Sequence, residues 1–458
     1  MLQELASAVR EGRTSAVDLV ELAYERIDKL DGDLNAVVAL RERDAAIDEA
    51  RSIDGSGPLA GLPLLVKDNH DVAGMTTTFG SRLYENAPPA EGDALVVERL
   101  RAAGAIVVGK TNLPEMAAAG FTDGDLFGPT GNPWGTEWSP GGSSGGSGAA
   151  LAAGMAPLAT GTDGGGSVRI PAAFCGLVGL KPTNGLVARR PMHSWMDLST
   201  DGPMASTVDD VALLLELMRG GAHGDIAAIR EWTSRPSMPA RVIASPRTWG
   251  WGPLSPGMQE RYRASLSSLE GDLGLPIEEI EPAALFGGLG DPGEDWWVLV
   301  AVEELTWMGR DFVRENLDRL SAAFRDHIEG AFGLSLDRYL EARRNRFAYA
   351  ARMDGLLGDD RVFVCPTMGY DGWLASGEVP ETGQPGPGGE GYNNGEANLT
   401  GHPSMSVPAG VSPNGIPFGL QITGPRWRDD MVLELGRAWE RANPWPAVAP
   451  GYEPFGLT

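Results

Sequence analysis

GGSSGGSGAALAAGMAPLATGTDGGGSVRIPAAFCGLVGLKPT, residues Gly141–Thr183, sets two glycine-rich loops on either side of a short apolar helix and strand. Glycine has no Cβ, so such backbone turns tightly and lies close against a ligand. Ser143 and Ser144 sit in the first loop and Ser167 in the second. Two serine-bearing loops of bare backbone suggest acyl-transfer chemistry.

Outward from this stretch, helices alternate with strands. Upstream, residues 2–10 read as a helix, and a second opens at Ser15 with Asp18 as its capping-box partner. Then come strand AVVAL (36–40), an acidic helix to about Ile53, the buried strand GLPLLVKD (61–68), helix 94–104 and strand AIVVG (105–109). Residues 118–142 form a long loop with Trp134 and Trp138. Within the stretch lie helix 144–153, strand 156–161, the Ser167 loop, a short helix opened by Pro171, and strand 176–181. Downstream follow loop 184–205, a helix from Ser206/Thr207 to about Met218, strand 241–245, and a mostly helical region at 250–360. Strand 362–367, a Gly/Pro-rich segment 368–396 that reads as an active-site loop or lid, strands 404–411 and 417–424, and helix 428–442 complete the chain. Continuously apolar strands between helices predict an α/β fold with its sheet covered on both faces. No repeat or long linker divides it, so residues 1–458 are expected to form one domain.

The net charge of −25 argues against nucleic acid, whose affinity depends on Lys and Arg neutralising phosphates, and against an anionic membrane surface. A small neutral or cationic substrate is compatible with it. Cys175 and Cys365 lie in apolar runs and read as buried thiols. The five histidines are scattered, and neither C-x-x-C nor H-E-x-x-H occurs, so no metal site is expected. With no signal-peptide core and no apolar run of 18 residues, the expectation is a cytoplasmic protein, monomeric or homodimeric, without a membrane anchor. Of 37 basic residues only Lys29, Lys67, Lys110 and Lys181 are lysine. Lysine can serve as a base when desolvated, whereas arginine keeps its proton. Lys67 ends a buried strand, where desolvation would lower its pKa; the simpler reading is a strand-end lysine paired with Asp68 or another carboxylate.

Two short motifs point elsewhere. Gly104–Thr111 matches G-x-x-x-x-G-K-T, but its intervening Ala-Ile-Val-Val makes a strand where a phosphate loop is needed. Gly142–Gly146 matches G-x-S-x-G around Ser144, yet TEWSPG before it is a loop, whereas a nucleophile elbow follows a strand. His402 would be the histidine of such a triad.

The stretch Gly141–Thr183 resembles the signature of the amidase signature family. GLPLLVKDN (61–69) resembles that family's lysine strand, GAIVVGKTNLPEMA (104–117) its G-K-T-N-x-x-E segment, and NLTGHPSMSVPAGV with PFGLQITGP its C-terminal strands. The resemblance covers both ends of the chain, and the helical region at about 220–360 is its least typical part. It implies a three-layer α/β/α sandwich around a large, mostly parallel mixed central sheet. It also implies a Ser–Ser–Lys triad: Ser167 as nucleophile, Ser143 as relay beside a cis peptide, and Lys67 as neutral base. Ser143 and Ser167 stand 24 residues apart, as in the family. The backbone N–H groups of Gly164, Gly165, Gly166 and Ser167 would form the oxyanion hole. The family often carries Thr, Ile or Ser at Gly164, and glycine there would widen the hole or loosen it. Asp163 and Arg169 would brace the loop. Ser144 would support the site by a hydrogen bond or serve as a plain helix N-cap.

The implied activity is cleavage of the C–N bond of small linear amides, and of esters or carbamates, through an acyl-enzyme and without cofactor. The family also contains glutamine-hydrolysing amidotransferase subunits, which need a partner. Met116, Phe121, Arg190, His193, Trp195, Met368, Tyr370 and Trp373 are the expected pocket residues, suited to an apolar or aromatic group.

Overall fold

The apolar runs of the sequence become the strands at the centre of the molecule. A computed structural model describes residues 1–248, 254–380 and 393–456, with the backbone of 384–385. In chain order the strands are β1 (Val37–Leu40), β2 (Pro63–Lys67), β3 (Ile106–Thr111), β4 (Leu158–Ala159), β5 (Thr162–Asp163), β6 (Val178–Lys181), β7 (Thr200–Asp201), β8 (Met204–Ala205), β9 (Arg241–Ala244), β10 (Ile277–Glu279), β11 (Arg361–Pro366), β12 (Glu378–Val379), β13 (Gln384–Pro385), β14 (Ser404–Val411) and β15 (Pro417–Thr423).

Four strands pair in the order β1-β3-β2-β4 and seven in the order β10-β9-β11-β15-β14-β6-β8. The two sheets adjoin where β4 lies beside β8. The architecture is α/β with mixed sheets. Parallel pairing is narrower than the resemblance implied. It joins β2 to β3 and β4, and β9 to β10 and β11. The pairings among β11, β15, β14, β6 and β8 are antiparallel. For β14 and β15 the cause is local: only a short turn separates them, and a short turn permits only an antiparallel return.

Successive side chains on β9 and β11 enter different cores. Val242, Ala244, Val362 and Val364 belong to the core that runs from Leu2 to Phe455, whereas Ile243, Phe363 and Cys365 join a second core with helices 292–308 and 336–357. Because strand residues alternate faces, this sheet is covered on both sides. The helical region contributes most of that second core and a third, around Leu305, Phe324 and Ile328. The capping box at Ser15 is present: Asp18 N–H donates to Ser15 Oγ and Ser15 N–H to Asp18 Oδ2, an arrangement typically worth about 1 kcal/mol.

Helix Gly145–Ala152 is buried on every side. Its small residues make that possible, since a Cβ on Gly146 would stand 2.4 Å from the Asn112 backbone N at the end of β3. This close approach sets the first serine loop against the C-terminal ends of β2 and β3. The helix after Ser167 begins at Arg169, ahead of Pro171, and ends at Cys175. The expected strand at 156–161 is reduced to β4, followed at once by the bridge-like β5, which pairs with β7. Of the expected lid at 368–396, residues 381–383 and 386–392 lie outside the described residues.

Candidate active site

Lys67 closes β2, and its side chain is fully buried. Its Nζ donates to Ser143 Oγ and to Thr162 Oγ1, each at 2.8 Å. Burial drives the Lys67 pKa down to about 7, against the opposing pull of the Asp163 and Asp201 carboxylates. A lysine held there is largely neutral just above neutrality and can accept a proton. Asp68 does not pair with it; that carboxylate ion-pairs with Lys110 at 2.7 Å. Lys181, also driven to about 7 by burial, donates to Pro182 O and Asn184 Oδ1 instead. The strand lysines are therefore all buried, and Lys67 is the one that reaches Ser143.

The Gly142–Ser143 peptide is cis. Ser143, Thr162, Gly164 and Ser167 line one cleft. Ser144 is turned away from it. Its hydroxyl sits between the backbone N–H and C=O of Thr162, each at 3.3 Å, and makes no cap to its own helix. Its backbone N–H donates to Ser167 O at 3.1 Å, which ties the two serine loops together.

An ion pair braces the second loop. Arg169 Nε and Nη2 donate to the two Asp163 oxygens, each at 2.9 Å, with both side chains fully buried. Burial alone would raise the Asp163 pKa, but Arg169 outweighs it and holds the carboxyl at about 2. Arg169 also reaches Gln421 and Asn398, so β15 and helix Gly395–Thr400 anchor the loop. The Gly166 N–H donates to Asp163 Oδ1 at 2.8 Å. It is thus engaged with the brace and is not aimed at the cleft, unlike its expected role as an oxyanion donor. Among the described residues, the Gly164, Gly165 and Ser167 N–H groups meet no protein acceptor.

Gly164 does not widen the site. A Cβ there would stand 2.2 Å from Trp195 Cε3, so an indole edge fills the room that a larger residue would occupy. A Cβ on Gly165 would meet the Trp296 ring at 2.6 Å, and Trp296 Nε1 donates to Gly164 O. The two indoles pack edge to face.

Of the expected pocket residues, Met116, Arg190, His193 and Trp195 line the cleft. Phe121, Met368, Tyr370 and Trp373 do not. They pack with Ile170 and Phe174 of helix Arg169–Cys175 and with Ile416 in a separate apolar cluster, where mutual burial satisfies them. Phe79, Trp307 and Glu304, unforeseen from sequence, complete the cleft walls. His70 and Asp201 also line it, bonded to each other at 3.0 Å, with His70 further held by Thr160. Thr162 lies inside the signature stretch, where nothing distinguishes it from its neighbours. The others come from distant segments that no local pattern connects.

The rival motifs take structural roles. Gly109, Lys110 and Thr111 lie within buried β3, and His402 faces Asp354 and Thr400. Among the described residues no group of three or more His, Cys, Asp or Glu could hold a metal ion, and no helix is long and apolar enough to cross a membrane.

A buried lysine hydrogen-bonded to a serine, beside a braced glycine loop in a cleft, is an arrangement suited to serine-type acyl transfer. The amidase family profile matches residues 18–433, and the chain belongs to that family. It is 34% identical to an acylamidase of Rhodococcus erythropolis, over 98% of this chain and 96% of that protein. It is 33% identical to a glutamyl-tRNA(Gln) amidotransferase subunit of Exiguobacterium sibiricum, over 96% of this chain and 97% of that protein. Its fold is similar to that of 6-aminohexanoate cyclic dimer hydrolase, with a TM-score of 0.86 at 29% identity and 97% of each chain covered.

Proposed function

We propose that the protein hydrolyses the C–N bond of small linear amides through an acyl-enzyme on Ser167, with Ser143 as relay and Lys67 as base. The observation that carries this reading is the 2.8 Å contact from fully buried Lys67 Nζ to Ser143 Oγ, in a cleft that Ser167 shares. Neutral Lys67 takes a proton from Ser143 as Ser143 takes one from Ser167, and Ser167 Oγ attacks the carbonyl carbon. The oxyanion is received by the Gly164, Gly165 and Ser167 N–H groups, each such donor typically worth roughly 3–4 kcal/mol. The proton returns through Ser143 to the leaving nitrogen, and water cleaves the acyl-enzyme by the same relay. Esters and carbamates, whose tetrahedral intermediates are alike in kind, are accepted by the same machinery. No cofactor takes part in these steps.

Walls of Phe79, Met116, Trp195 and Trp307 suit an apolar or aromatic substituent on the amide, and they favour an acylamidase-like activity over glutamine hydrolysis. A cytoplasmic location and independence from a partner protein belong to this reading. The test is a panel of aryl amides, fatty amides, amino-acid amides, esters, carbamates and glutamine against wild type and Ser167→Ala. At least one amide class should be turned over by wild type and lose about a thousandfold or more in Ser167→Ala. Ammonia release from glutamine only in the presence of a partner protein would instead assign the chain to the amidotransferases.

A further inference from the structure

One wall of the cleft holds polar atoms that the acyl-transfer steps do not use. Glu304, on helix Pro292–Met308, is 1% exposed and lines the same cleft as Ser143 and Ser167. Both of its carboxyl oxygens are buried and lack a hydrogen-bond donor. His327 Nε2 stands 3.5 Å from Oε2, beyond a good hydrogen bond, and is itself unpartnered. Trp195 Nε1 is buried with no partner in hydrogen-bond geometry, although the Trp195 and His327 N–H groups lie near enough to the carboxyl to oppose the effect of its burial. Phe79, Met116 and Trp307 supply the apolar part of a lining that also includes His70, Arg189, Arg190 and Asp201.

Buried polar groups are almost always paired, and one left unpaired destabilises the fold. Three such atoms belong to Glu304 and Trp195, which line one cleft, and a fourth belongs to His327 beside Glu304; together they are more than ordinary slack in a core. Trp195 links them to the chemistry, because its ring edge occupies the space over Gly164 in the Ser167 loop. It also has φ +59, a left-handed conformation uncommon for a bulky side chain and found chiefly at functional sites.

We propose that Glu304, flanked by Trp195 and His327, is a polar subsite that binds an N–H group, an ammonium or a second amide, carried by the substrate at a distance from the scissile bond. The inference rests on the amide-hydrolase reading above and names its substrate class: amides whose apolar spacer ends in an N–H donor. A carboxyl oxygen accepts that N–H, and the apolar walls hold the spacer. Burial raises the Glu304 pKa in the free protein, and an arriving ammonium would draw the group back to its carboxylate form. The net charge of −25 favours approach of such a cation.

The test compares a length series of ω-amino and ω-acetamido acyl p-nitroanilides with their unsubstituted acyl counterparts. At the best spacer length, kcat/KM for the N–H-bearing substrate should exceed that of its counterpart by about tenfold or more, chiefly through KM. In Glu304→Gln that ratio should fall by about tenfold for the ω-amino series. A purely structural Glu304 would lower both series alike and leave the ratio unchanged, which would overturn the proposal. So would a wild-type ratio near one at every length. Calorimetric binding of the same compounds to Ser167→Ala reads the subsite without turnover. Preferential binding there, with no hydrolysis by wild type, would sink the catalytic reading and leave the subsite standing. Equal binding of both series would do the reverse.

Discussion

Lys67 shows how far one side chain can be read from sequence. The scarcity of lysine and the apolar strand before it mark it out, and its depressed pKa follows from burial. Its partner Thr162 is not legible, because a threonine 95 positions away becomes a neighbour only when β2 and the β4–β5 segment align. In the proposed relay Lys67 acts unprotonated, so kcat/KM should rise with pH through about 7 and level off above it; a rate that falls through that range contradicts the assignment. Lys67→Ala should cost about 10²- to 10⁴-fold at neutral pH, and Lys67→Arg should not restore activity. Stability is affected by the same shift. The folded-state pKa lies below the unfolded value of 10.5, so between about 7 and 10.5 the unfolded chain holds a proton that the folded chain lacks. Stability therefore rises with pH across that window and is lowest below it. Lys67→Met should raise Tm in thermal unfolding, most at pH below 7.

At the scale of elements, the long apolar strands and capped helices are evident from periodicity, and the glycine loops from composition. Short pairings such as β5 with β7 are not, since two residues carry no period. Nor can sequence show why Gly164, Gly165 and Gly166 are bare. The cause is long-range: Trp195, Trp296 and Asn394 each occupy the position that a Cβ would take. The aromatic pocket is half misassigned from sequence for a related reason. Phe121, Met368 and Trp373 are near the loop in sequence or composition, yet they pack with Ile170 and Phe174 of helix Arg169–Cys175 and do not line the cleft. If Trp195 is what excludes a side chain at 164, then Gly164→Ala and Trp195→Ala should not be additive. Gly164→Ala should lower kcat in the wild-type background and do so much less beside Trp195→Ala, with a coupling of about 1–3 kcal/mol in a double-mutant cycle. Additive effects would mean that the indole does not police this position.

Across the whole molecule, the brace behind Ser167 is assembled from segments more than two hundred residues apart. Asp163 and Arg169 meet Asn398 and Gln421, which lie beyond the helical region at 220–360. The family resemblance points to Asp163 and Arg169, but their far partners can be found only in the folded chain. Because both charges are fully buried, removing one strands the other. Arg169→Leu should destabilise the protein by about 3–5 kcal/mol in denaturant unfolding, and Asp163→Asn added to it should recover part of the loss. A loss below about 1 kcal/mol would show that the pair is not needed for the fold.

Acylation of Ser167 is the step on which the proposed chemistry depends, and mapping a fluorophosphonate adduct by peptide mass spectrometry reads it directly. One adduct is expected, on Ser167, absent in Ser167→Ala and formed far more slowly in Lys67→Ala. An adduct on Ser143 or Ser144, or labelling that survives Ser167→Ala, would refute the assignment.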